Sequence, residues 1–433
     1  MADKKNSWKL NKKNFGPLWP YIKDPLVSDV DLDGDALWVD YVDGRRLNLS
    51  FEELGIDSTF VENFAQSVAN SVGQKFNETE NVLTAETEVV RMVFAKDTLV
   101  PSGTCFSIRK SMPCLRFTAT EALKEGYCSK ELMAFLINCV VSRTNMAFVG
   151  EPGHGKTECA KFCSSFIPKF DKVITVEDVM EWHYKTINPG KRADEIKVKS
   201  PADYSKGIAL ALRFNPSWLM LAEARSSEIL NLIEGWSTGV HGMTTLHCGD
   251  VRLIPDRAGN MVDATLDKQT IINNVYQYLD LGILLKKEYD KDGKLHRRIK
   301  QVGVFERING KNECYVIYED GKFEVSKIPK SLLKKLKAAG IQDPLHSDQM
   351  NQRLIDESNG IIYGKPNINF FDDDDDDEKN EETASQNITV NDTATNKTAN
   401  NNSTANVDKI LEELNVDASI ISESVKQKLQ VIT

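Results

Sequence analysis

The 433-residue chain is predicted to be an α/β protein: an N-terminal α+β domain, then a mostly parallel sheet wrapped by helices, then a disordered acidic tail. Three observations predict this. Short strand-like runs surround a single helical stretch in the first hundred residues. Apolar strands alternate with helical periodicity from about residue 126. The end of the chain is acidic and poor in apolar residues.

The N-terminal part holds "ALWVDYVDGRRLNLSF", which alternates around a Val-Asp-Gly turn and reads as a hairpin. "STFVENFAQSVANSVGQKF" repeats apolar residues at helical spacing, with Ser58 in the capping position. "GTCFSIRKS" reads as another strand. Further along, "NMAFVG", "KVITVED", "WLMLAEA" and "GMTTLH" read as buried strands. Thr157 to Phe166 reads as a helix whose apolar face carries Cys159, Phe162, Cys163 and Phe166.

Composition narrows the function classes. The start, MADKKNSWKL, is polar, and LMAFLINCVV is about half of a membrane span, so a soluble, unexported protein is expected. Eight scattered cysteines lack zinc spacing and suggest reduced thiols. Residues 371–433 carry 15 acidic residues against 5 lysines, which accounts for the whole formal charge of −10. The remaining body is neutral, and this disfavours a protein that tracks along nucleic acid.

Chemistry enters with Gly150-Glu151-Pro152-Gly153-His154-Gly155-Lys156-Thr157, a G-x-x-x-x-G-K-[ST] loop between a strand and a helix. Its glycines let backbone N–H groups turn onto phosphate oxygens, and the following helix adds its positive end. Lys156 is expected on the β and γ phosphates and the Thr157 hydroxyl on Mg²⁺. About twenty residues on, "VITVEDVMEW" ends a buried strand in Glu177, Asp178 and then Glu181. "WLMLAEA" ends in Glu223, where a Mg²⁺-linked carboxylate belongs. "STGVHGMTTLHCGD" sets His241 and His247 around a strand and a Gly-rich turn.

The ordered set resembles the traffic ATPases of type IV secretion, type II secretion and type IV pili, closest to the type IV secretion and conjugation branch. "ITVEDVMEW" is similar to their aspartate box, "LRFNPSWLMLAEARSSE" to their Glu-type Walker B stretch and "TGVHGMTTLH" to their histidine box. "GTCFSIRKSM" is similar to an N-terminal-domain strand ending I-R-K, and "LDLGILLKK…RRIKQVGVFE" to the last motor strands. The chain departs from the pattern at Ser217 and Ala222, where the family usually has Asp and Gly, and His241 to His247 is a tighter spacing than usual.

The resemblance implies an N-terminal α+β domain (1–118), a linker (119–128), a RecA-like P-loop ATPase domain (129–335) and an extension (336–370). A disordered acidic linker (371–406) and a short amphipathic segment (407–433) follow. It implies a Mg²⁺-dependent ATPase in which Glu177 is the first choice for orienting or deprotonating water. Glu223 acts in the metal shell, with these two roles exchangeable, and His247 senses the γ-phosphate. Arg91 and Arg109 supply positive charge to the nucleotide. It further implies a homo-hexameric, cytoplasmic ring held at the membrane by inner-membrane components of a secretion or pilus apparatus, without direct nucleic-acid contact. Two alternatives stay open: a nucleic-acid motor of the RecA-like class, and an ATP-binding scaffold with little hydrolysis.

Overall fold

The computed structural model describes residues 10–226, 228–262, 266–365 and 370–371; most of the segment expected as linker 371–406, and all of 407–433, lies outside them. The chain divides into two units. Of the described residues, one comprises 10–41, 46–110 and 370–371, the other 42–45 and 111–365.

The first unit is built on six antiparallel strands: β1 (Val27–Asp33), β2 (Ala36–Tyr41), β3 (Arg46–Ser50), β4 (Val82–Glu86), β5 (Val90–Ala95) and β6 (Cys105–Lys110). Their order is β3-β2-β1-β6-β5-β4. The expected hairpin is β2–β3, with Ala36 opposite Ser50. The helix Ser58–Val72 covers one face, burying Val61, Phe64, Ala65, Val68 and Ala69. Its cap is Asp57, one residue before the expected Ser58, because the Asp57 carboxylate reaches the Phe60 N–H. Phe64 sits among Phe15, Phe94 and Phe106, with ring centroids 5.5–5.7 Å away. The opposite face carries the outward residues of each strand. There Arg91 of β5 lies directly beside Arg109 of β6, and Arg109 beside Asp29 of β1.

The second unit holds nine strands: β7 (Met146–Val149), β8 (Val173–Glu177), β9 (Ala193–Lys197), β10 (Trp218–Leu221), β11 (His241–Leu246), β12 (Leu281–Tyr289), β13 (Leu295–Ile308), β14 (Lys311–Glu319) and β15 (Lys322–Phe323). The order is β15-β14-β13-β12-β7-β11-β10-β8-β9. The six strands from β12 to β9 run parallel, and β13 to β15 continue the sheet antiparallel. Strands β7, β8 and β10 are buried along their whole length, so they read as continuous apolar runs rather than as alternation. Helix Lys130–Val141 packs on one face with the loop helix Lys156–Ser164; Tyr204–Arg213 and Glu228–Ser237 pack on the other. Cys159 and Cys163 are buried on the core side of the loop helix.

Residues beyond 340 are stitched into this unit. Helix Asp348–Ser358 presents Glu357, which accepts from the Ala119 and Thr120 N–H groups at 3.0 and 2.8 Å. These are the first amides of helix Ala119–Lys124, whose N-cap is Thr118, so Glu357 adds to that cap from outside the helix. Arg353 is buried between the rings of Phe166 and Tyr363 and donates to Ser165 Oγ at 3.2 Å. Among the described residues, no helix is long and apolar enough to cross a membrane.

Candidate nucleotide site

Parallel α/β sheets gather ligands at the carboxyl ends of their strands. Here that edge carries the loop after β7, the acids after β8 and β10, and His247 after β11.

The loop backbone requires its glycines. Gly150, Gly153 and Gly155 have φ of 147°, 75° and 83°. A Cβ on Gly150 would come within 2.7 Å of the Leu285 carbonyl on β12. His154 is buried, with Nδ1 3.0 Å from that same carbonyl and 3.2 Å from the Glu151 N–H. Gly155, in the left-handed region, stands at the N-cap of helix Lys156–Ser164 and starts it without a side-chain cap. Free N–H groups at that end make an anion cradle.

Lys156 is buried and donates to the Gly150 and Glu151 carbonyls at 3.0 and 3.1 Å and to His247 Nδ1 at 3.2 Å. Burial pushes its ammonium below the usual value, with Glu223 and Glu181 pulling the other way. On the far side, His247 Nε2 lies 2.9 Å from Glu223 Oε1. His247 Nδ1 lies 3.2 Å from both Lys156 Nζ and the Gly150 carbonyl, so it meets a donor and an acceptor at the loop. Glu223 Oε2 also meets Arg225 at 2.7 Å, and Arg225 approaches Asp178 at 3.7 Å. Asp178 in turn accepts from the Tyr204 hydroxyl at 2.8 Å. A continuous polar chain therefore runs from the loop lysine to the turn after β8.

That turn separates its two glutamates. Glu177 is fully buried, and its Oε2 accepts from the Glu181 and Trp182 N–H groups at 2.8 and 3.0 Å. Burial pushes its carboxyl up to about 7, against the hydrogen bonds from Trp182, Glu181 and Thr175. Glu181 instead reaches the loop helix, where the Thr157 hydroxyl donates to its Oε2 at 3.4 Å. So of the residues that the sequence selects, Lys156, Thr157, Glu223 and His247 come together, while Glu177 lies beneath the turn. The sequence displayed Glu181 without a reason to rank it above Glu177; burial of Glu177, its carboxylate bond to the Glu181 N–H and the Thr157 contact of Glu181 distinguish them.

The histidine reading changes. His241 and His247 sit at opposite ends of β11, about 20 Å apart by strand rise. His241 faces Trp218, 5.8 Å away, at the amino-end edge of the sheet, where burial and nearby Lys335 and Arg143 push its imidazole down to about 4. Arg91 and Arg109 belong to the first unit. Arg109 pairs with Asp29 at 2.8 Å and Arg91 with Glu86 at 3.9 Å.

The residues suit a nucleotide with Mg²⁺. The uncapped helix N-terminus after Gly155 and Lys156 fit phosphates, and a hydroxyl facing a carboxylate fits a hard cation that keeps most of its water and phosphate ligands. Fold and loop together define a P-loop nucleotide-binding α/β protein. The model of the Type II/IV secretion system protein family matches residues 84–340, more than half of the chain. The chain belongs to that family.

Individual relatives agree. An uncharacterized Bacillus anthracis protein is 27% identical over 316 residues, 70% of this chain and 71% of that one. A putative conjugal transfer protein of Mycobacterium tuberculosis is 22% identical over 317 residues, covering 70% and 88%. The type IV secretion system protein VirB11 of Brucella suis is 30% identical over 149 residues, 33% of this chain and 40% of that one. In fold, the chain resembles the ATPase DotB of Yersinia pseudotuberculosis, with a TM-score of 0.51 at 16% identity, covering 78% of this chain and 88% of that one.

Proposed function

We propose that this chain is a Mg²⁺-dependent ATPase that drives assembly or transport at a type IV secretion or conjugation apparatus. Its working form is a homo-hexamer docked by inner-membrane partners on the cytoplasmic face. The observation that carries the enzymatic part is the convergence of Lys156, Thr157, Glu181, Glu223 and His247 at one sheet edge. Family membership supports the apparatus.

The reaction is attack of water on the γ-phosphorus, in which the protein mainly positions groups and neutralises charge. Backbone amides of the loop 150–157, Pro152 excepted, and Lys156 hold the phosphates. Thr157 would hold Mg²⁺, which neutralises phosphate charge when bound. Lys156 leaves its own loop carbonyls for phosphate oxygens, which are stronger acceptors. Glu181 is the acid placed to orient water, since it already faces Thr157. Glu223 holds His247 beside the loop, and His247 reports on the γ-phosphate. Glu177 fixes the turn that carries Glu181.

Phosphate release by purified variants tests this. Lys156→Ala should lose turnover by at least about a hundredfold, and Glu181→Gln should lower kcat by about 10²–10⁴ while still binding ATP. Glu177→Gln should retain more turnover than Glu181→Gln. A Lys156→Ala protein hydrolysing at the wild-type rate would overturn the assignment; the reverse ranking of the two glutamates would restore Glu177 as the base. A wild-type protein that binds ATP but releases no phosphate would make it a scaffold.

A further inference from the structure

An anion-binding loop turns its N–H groups inward, so its carbonyls need donors from elsewhere. Lys156 serves Gly150 and Glu151. The Gly153 carbonyl accepts instead from Arg297 Nε on β13, at 3.1 Å. The same guanidinium donates through Nη1 to the Val42 carbonyl at 2.6 Å. Its stem lies against the loop as well, since a Cβ on Gly155 would meet Arg297 Cδ at 3.2 Å. The turn holding Val42 is seated on the same strand: a Cβ on Gly44 would come within 2.6 Å of Leu295 Cβ. Burial pushes the Arg297 guanidinium below its usual value, so it stands partly withdrawn from water beside the loop. Nothing in the phosphate-loop motif requires an arginine about 140 residues away.

We infer that Arg297 is a positioning residue of the phosphate loop: its fork, seated on the Gly153 and Val42 carbonyls, holds the loop amides converged for a nucleotide's phosphates and places a fixed positive charge behind them. The nucleotide part of this inference rests on the function proposed above. The geometry asks for arginine in particular. Two carbonyls in different directions match two N–H groups of one rigid plane, whereas an ammonium is a point donor on a flexible stem.

A loop already converged binds nucleotide without paying to order itself, so the effect falls on affinity rather than on the chemical step. Arg297→Gln should weaken binding of a fluorescent ADP analogue about tenfold, the loss expected for a charged hydrogen bond. The KM for ATP should rise in step while kcat stays within about twofold. In the nucleotide-free protein, the amides of residues 150, 151 and 153–157 should exchange hydrogen about tenfold faster. Arg297→Lys, which keeps charge and stem, should recover only part of either effect; if the Gln variant fails to fold, this variant carries the comparison. Arg298→Gln is the control, because its guanidinium pairs with Glu288 and adjacent strand residues point to opposite faces.

Unchanged loop exchange in Arg297→Gln would overturn the inference. So would a fall in kcat at constant KM, or full recovery by lysine. If wild-type protein binds no ADP analogue while the exchange effect persists, the nucleotide reading falls and the positioning role stands.

Discussion

The most telling single residue is Glu177, a carboxyl enclosed beneath the site and raised to about 7. A raised folded-state value means the native protein holds its proton more tightly than the unfolded chain. The associated stability is fully present below the unfolded value near 4.5 and is lost as pH rises through about 7. The shift corresponds to about 3 kcal/mol at most. Glu177→Gln has no proton to lose but keeps a carbonyl for the Glu181 and Trp182 N–H groups. Urea unfolding of both proteins from pH 5 to pH 8 should therefore show wild type losing up to about 3 kcal/mol relative to the Gln variant, mostly between pH 5 and 7.5. A pH-independent difference would mean that Glu177 is solvated or differently paired. The sequence shows that β8 ends in an acid. It cannot show that this acid turns inward to hold the chain, because that depends on which oxygen meets which backbone N–H.

At the scale of elements, the parallel strands and the phosphate loop were legible because a buried apolar run of four or five residues, bounded by Gly or acids, has few other uses. "NMAFVG", "KVITVED" and "WLMLAEA" appear as β7, β8 and β10. The support behind the loop was not legible. Arg297 and Leu285 meet Gly153 and His154 through a sheet register spanning more than 130 residues of chain, and no local period encodes that. The stretch beyond 340, where the family match ends, was likewise only an unassigned extension. Its apolar spacing buries Met350, Leu354 and Ile355, and Glu357 and Arg353 tie it to helix Ala119–Lys124 and to the end of the loop helix. Burying three such side chains contributes about 5 kcal/mol or more. A chain stopped at residue 340 should therefore unfold at markedly lower urea than the full chain, or fail to purify as a soluble protein. Glu357→Gln alone should cost about 1 kcal/mol through its cap. Equal stability of the truncated and full chains would show that the extension only rests on the surface.

At the scale of the whole molecule, the outward sheet face of the first unit places two arginines directly opposite each other, Arg91 and Arg109. Like charges in such cross-strand pairs destabilise a sheet. Asp29 pairs with Arg109 and Glu86 with Arg91, while the Arg109 side chain stays 70% exposed. The proposed role of these arginines is to supply charge to the nucleotide; Lys156 with its loop belongs to the other unit of the chain. Positive charge delivered late to a transferring phosphoryl group is worth on the order of a thousandfold or more in related reactions. If the chain assembles as the proposed ring, delivery can come from the same subunit or from the next one. Light scattering should then find a hexamer, and specific ATPase activity should rise with protein concentration across the range where the ring dissociates. Arg109→Ala should lower kcat far more than ATP affinity. Mixing inactive Arg109→Ala with inactive Lys156→Ala protein separates the two routes. A subunit lacking the loop lysine still offers its arginine, so activity recovered in mixed rings means that the arginine acts on a neighbour's nucleotide. Mixed rings without activity mean that it acts within its own chain. A monomer fully active at every concentration would remove the ring from the proposal and leave the site residues to be explained by a single subunit.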